Sequence, residues 1–144
     1  MWKPQALPRL RATIFEPVAT ARMLATEMLN RMSISSVQTI QNEDEVSVFN
    51  PAFSVDILVM EHTTISEGHE RAMGVLEAYL STFGTGACLI FTTNDQRESN
   101  LRAAIARNCD GLILRPYSPR SFCDRVKWAI ERKATRGSQF IMAA

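Results

Sequence analysis

The apolar positions of this chain alternate between short β-rich runs and longer segments of helical period. Residues 12–15 form a short apolar run closed by Glu16 and Pro17. Over residues 19–32, Met23, Leu24, Met28, Leu29 and Met32 recur at helical spacing, which predicts an amphipathic helix. Residues 35–40 are rich in β-branched side chains and predict a strand. Residues 43–49 predict a short helix that ends before Pro51, because the residue preceding a proline is pushed out of the helical region. Asp56 is followed by an unbroken apolar run to Met60, the pattern of a strand buried on both faces. Residues 70–83 place Met73, Leu76, Tyr79, Leu80 and Phe83 on one helical stripe, and Gly84 and Gly86 stop it. Residues 87–91 predict a second buried strand, 95–106 a helix, and 111–114 a strand cut off by Arg115 and Pro116. The last helix covers 118–133, with Phe122, Val126, Trp128, Ala129 and Ile130 as its apolar positions.

Five strands alternating with five helices argue for a doubly wound parallel α/β sheet, with right-handed crossovers. In such sheets the site lies beyond the carboxyl ends of the strands, where the strand order reverses. Those ends leave Glu16 after the first strand, Glu61 after the third, Thr92 and Thr93 after the fourth, and Arg115 and Pro116 after the fifth.

Composition narrows the class. A chain of 144 residues at 46% hydrophobic and 22% charged is one globular domain, neither disordered nor a coiled coil. We divide it into an N-terminal extension (1–9), a domain (10–133) and a C-terminal tail (134–144). No apolar run approaches the ~20 residues of a membrane span, so membrane insertion is not expected. Met1-Trp2-Lys3-Pro4 opens no signal peptide, and three cysteines without a CxxC pair suit a reduced, cytoplasmic chain. The net charge of +1 says little, but its distribution says more. Residues 42–77 carry eight acids against Arg71, whereas residues 120–144 carry six bases against Asp124 and Glu131.

The residues at the strand ends are where the chain resembles the receiver domain of response regulators, over residues 10–133. The run from Arg11 to Pro17 resembles the family's first strand with its closing acidic pair, and Arg22 stands where an Arg often follows in the first helix. The run from Asp56 to Glu61 resembles the third strand ending in the phosphoacceptor Asp. Leu89 to Thr93 resembles the fourth strand ending in a hydroxyl residue, and Arg115-Pro116-Tyr117 the Lys-Pro-aromatic signature. The intervals of 45, 31 and 23 residues from Glu16 to Glu61, Thr92 and Arg115 suit the family. The resemblance implies a flavodoxin-like, CheY-like (βα)5 fold with strand order 2-1-3-4-5.

The same resemblance implies that a working receiver needs two acids after the first strand, an Asp acceptor and a Lys. The carboxylates hold Mg²⁺, and the metal and Lys neutralise the phosphoryl oxygens. Here the second acid position is Pro17, with no ligand to offer. The acceptor position is Glu61, about one C–C bond longer than Asp, where a misplacement of ~1 Å can cost ~10²-fold. The Lys position is Arg115, a planar fork in place of a compact ammonium. Thr92 alone follows the family pattern; Thr64-Ile65 replace its Met-Pro, and Leu112 its switch aromatic. The chain therefore reads as a degenerate pocket of Glu16, Pro17, Glu61, Thr92, Arg115 and Pro116, a pseudo-receiver in which no enzyme activity or cofactor is expected and Mg²⁺ binding is weak or lost. Arg115 is expected either to pair bidentately with Glu61, as a held active-like state, or to form a merely solvated ion pair with it.

The implied partner is a protein: a histidine kinase, a phosphotransfer protein or a downstream regulator, with a homodimer as a further option. By resemblance it would meet residues 95–107 and 112–130, at Leu112, Tyr117 and Arg125. Two alternatives stand beside this reading. One is a receiver still phosphorylated at Glu61. The other is binding of a cyclic dinucleotide or nucleic acid through Arg125, Lys127, Arg132, Lys133 and Arg136. Nucleic acid is disfavoured because no aromatic residue interleaves the basic ones. His62, His69 and the nearby acids match no metal-ligand spacing, and nothing marks a base or clamp beside His62.

Overall fold

The apolar runs assemble into one parallel sheet. The computed structural model describes residues 10–34, 36–47, 55–63, 68–84 and 86–139. Strands β1 (Arg11–Phe15), β2 (Ser36–Ile40), β3 (Ile57–Glu61), β4 (Cys88–Thr93) and β5 (Gly111–Leu114) lie in the order β2-β1-β3-β4-β5, the expected one. Helices α1 (Ala19–Arg31), α2 (Glu43–Ser47), α3 (Gly68–Phe83), α4 (Glu98–Ala106) and α5 (Pro119–Gln139) connect them. The register sets Phe15 beside Met60, Glu61 beside Thr92, and Thr93 beside Leu114. The carboxyl ends of four strands thus meet along one edge.

Alternation along the strands divides the apolar side chains between two cores. On one face Ala12, Ile14, Ile57, Val59 and Ile90 pack against Ala25, Met28 and Leu29 of α1 and Phe122, Val126, Ala129 and Ile130 of α5. On the other, Phe15, Leu58, Met60 and Phe91 pack against Val46 of α2, Val75, Leu76 and Tyr79 of α3, and Ala104 of α4. Each fully buried large aliphatic or aromatic side chain contributes ~1.5–3 kcal/mol, so these two layers dominate stability. At the amino edge of the sheet, Asp56 Oδ2 accepts the Arg11 N–H at 2.9 Å, and Asp110 Oδ2 accepts the Leu89 N–H at 2.8 Å. The single Asp preceding the β3 apolar run is therefore a tie between strands.

Several boundaries and faces differ from the sequence expectation. On α1 the buried face is Ala25, Met28 and Leu29, while Met23 is 70% exposed and Leu24 is also exposed. Five residues separate Met23 from Met28, about 140° around the helix, so both cannot face the sheet. Helix α4 begins at Glu98, because the Asp95 carboxylate accepts the Arg97 N–H and holds a turn ahead of it. Helix α5 continues to Gln139, past the tail boundary placed at 133. Trp128 on α5 is 49% exposed instead of packed. Gly84 ends α3 as expected, at φ 75°, with its N–H donating to the Leu80 carbonyl at 2.8 Å. The end of the helix expected over 43–49, the Thr64-Ile65 pair, and the terminal segments 1–9 and 140–144 lie outside the described residues.

Candidate functional site

Glu16 follows β1 directly and is buried. Its Oε2 accepts the Val18 N–H at 3.1 Å, and Arg22 reaches back from α1 to donate to its carbonyl at 2.8 Å. Glu61 is the last residue of β3, and Arg115 follows β5 with its N–H donating to the Thr93 carbonyl at 2.8 Å. The Arg115–Pro116 peptide is cis. The Arg115 guanidinium lies between the two acids. Nη1 donates to Glu16 Oε1 at 2.8 Å, and Nη2 donates to Glu61 Oε2 at 2.7 Å.

This corrects the expectation of a bidentate pair with Glu61: the fork spends one N–H on each carboxylate. It also corrects the alternative of a solvated pair, since the Arg115 side chain is 17% exposed and those of Glu16 and Glu61 are 6% and 20% exposed. The physical reason is the shape of the donor. A planar guanidinium carries two outward N–H edges and joins two facing anions, which a point-like ammonium does less well. Burial raises the Glu16 carboxyl above its ordinary range; the Val18 N–H and Arg115 oppose the rise and the Glu61 charge adds to it. Burial works against the Arg115 charge, and the Glu61 hydrogen bond with the Glu16 and Glu61 charges outweighs it.

In the arrangement implied for a working receiver a divalent cation sits among the carboxylates, and here a protein cation already bridges them. Pro17 supplies no oxygen in place of the second acid. The residues present do not fit Mg²⁺: the ion is held through one or two carboxylates and several waters, and both carboxylates here are already engaged by the Arg115 cation.

Solved structures resemble this fold over most of the chain. A pilus assembly-related protein from Burkholderia pseudomallei matches at 13% identity, with a TM-score of 0.67, over 90% of this chain and 96% of its own. A response regulator receiver protein from Burkholderia phymatum matches at 15% identity and a TM-score of 0.67, over 85% and 96% of the two chains. A response regulator from Thermotoga maritima matches at 14% and 0.65, over 85% and 98%. The chain has the receiver fold. No protein-family model and no curated protein matches the sequence.

Within this receiver fold, Thr92 is buried and its carbonyl accepts the His62 N–H at 2.9 Å. Pro116 and Tyr117 join Val18, Ala21, Leu24, Asn94 and Arg115 around an open cleft of about 480 Å³ beside the acidic pair. Tyr117 stacks on Phe122 with centroids 5.2 Å apart. The other two expected partner-binding residues lie away from the pocket. Leu112 is partly buried against the second core, and Arg125 is exposed on α5.

Sequence reasoning passed over a buried polar network beside the pocket. His62 is fully buried against Phe91, at 4.8 Å between centroids. Its Nδ1 lies 3.0 Å from Asn100 Oδ1. The Asn100 amide nitrogen donates to the Asp95 carbonyl at 2.9 Å, the Thr93 hydroxyl at 3.2 Å and the His62 carbonyl at 3.3 Å. Those three acceptors orient the amide, so its oxygen faces His62 and the proton sits on Nδ1. Burial lowers the His62 pKa and keeps the ring neutral. The signal in the sequence was Asn100, four residues before the buried Ala104 and so on the inner face of α4.

Proposed function

We propose that this chain is a receiver-like signalling protein of the two-component type that works through protein–protein contact and is not phosphorylated. The observation that carries the reading is the Arg115 fork closed on Glu16 and Glu61. It fills the position where a working receiver implies metal and phosphoryl group, and it leaves no compact ammonium for the transferred group. The partner is a kinase, a phosphotransfer protein or a downstream regulator, met in the cytoplasm. The open cleft lined by Val18, Leu24 and Tyr117 and the surface around β5 are the faces on offer. Incubation with acetyl phosphate and Mg²⁺, followed by intact-mass measurement, is the test. The expected mass is unchanged; an added phosphate mapped to Glu61 would overturn the reading.

A further inference from the structure

Two helices on opposite faces of the sheet carry complementary stripes of equal length. On α5, Arg125, Trp128 and Arg132 follow at intervals of three and four residues and fall within about 60° of one another around the helix. Arg125 and Trp128 are exposed, and the Arg132 guanidinium lies 5.0 Å from the centroid of the Trp128 ring. The acids of α5 stand on the flank: Asp124 faces Arg120 at 3.8 Å, and Glu131 is on the same side. An aromatic residue does interleave these bases, contrary to the sequence reading.

On α3, Glu70, Gly74 and Glu77 form the outer stripe, opposite the buried Ala72, Val75, Leu76 and Tyr79. Glu70 and Glu77 are exposed. Read backwards, Glu77, Gly74 and Glu70 follow at three and four residues, the same intervals as Arg125, Trp128 and Arg132. An antiparallel helix pair would set Arg125 on Glu77, Trp128 over Gly74 and Arg132 on Glu70. The outer charges are both seven residues apart, about 10.5 Å. The largest side chain of one stripe meets the smallest of the other.

We infer that α5 of one molecule docks antiparallel on α3 of a second copy. The two stripes belong to different faces, so the contact is head-to-tail, and each molecule keeps one stripe open for the next. A single helix pair buries less than the ~1,000 Å² typical of stable complexes, so the association is weak and its charged part is screened by salt. This inference does not rest on the signalling reading; it would stand if Glu61 were phosphorylated.

The test is sedimentation equilibrium of the full chain at roughly 500 μM, a concentration suited to a weak contact of this size. The average mass should exceed that of one protomer at low salt and fall back at high salt. Arg125→Glu with Arg132→Glu, and separately Glu70→Arg with Glu77→Arg, should each give a monomer with unchanged circular dichroism. Mixing the two variants should restore association, because each reversed stripe then meets a reversed partner. Trp128→Ala and Gly74→Gln should each weaken association several-fold without altering a charge. A wild-type chain that stays monomeric, or association that survives both reversals, would overturn the inference. So would a mixture that fails to associate, or a monomer that holds added polyglutamate through α5, which would point to a foreign acidic partner.

Discussion

Arg115 is the residue on which the pocket turns. Its guanidinium holds two carboxylates that would otherwise face each other across a largely buried space. Removing one member of a buried ion pair costs ~3–5 kcal/mol, and the partial exposure here puts the expectation for Arg115→Ala below that range, at about 2–3 kcal/mol. Urea unfolding at neutral pH measures it. The same cluster sets a pH dependence. The folded Glu16 carboxyl holds its proton more tightly than the ordinary 4.5 of an unfolded chain. The folded state therefore binds more protons just above pH 4.5, and this contribution to stability is lost as pH rises through the folded pKa. Relative to Glu16→Gln, the wild-type chain should lose stability over that range; equal slopes for the two proteins would contradict the assignment. At this scale the sequence named all three members of the cluster. It did not show how the fork divides, because that depends on where the two carboxyl groups sit across β1 and β3.

Elements were legible to the extent that their periodicity was strong. The β3 and β4 runs and the bounds of α3 were recovered within two residues, since unbroken apolar runs and regular spacing leave little choice, although Leu80 of the expected α3 stripe is exposed and Ala72 and Val75 are buried in the face instead. The apolar face of α1 was misjudged because it carries more methionines and leucines than one face can bury. The start of α4 was placed three residues early because side-chain turns such as that of Asp95 look helical in composition. Asp95 is held down to about 2, chiefly by its hydrogen bonds with Arg97, so it is ionised at neutral pH and keeps that turn closed. Asn100 then ties the amino end of α4 to the loop after β3. Asn100→Ala leaves several buried polar groups without partners, at ~1–3 kcal/mol each. The expected result is a loss of at least about 2 kcal/mol in stability. Faster amide exchange should be confined to residues 62–63 and 93–100, and uniform exchange across the sheet would argue against a local tie.

For the molecule as a whole, alternation of elements gave the parallel sheet, while the strand order rested on resemblance, because periodicity carries no information about which strands are neighbours. The structure places the strand ends together as that order requires. The proposed function turns on whether the pocket closed by Arg115 can accept a metal and a phosphoryl group. The direct measurement is an amide chemical-shift titration with Mg²⁺ and beryllofluoride, following Glu16, Glu61, Thr92 and Arg115. Glu61→Asp with Pro17→Asp and Arg115→Lys serves as the positive control, since such a pocket works as a unit. No saturable shift is expected in the wild-type chain and a saturable one in the triple variant; saturation of the wild-type pocket at low-millimolar Mg²⁺ would contradict the proposed function.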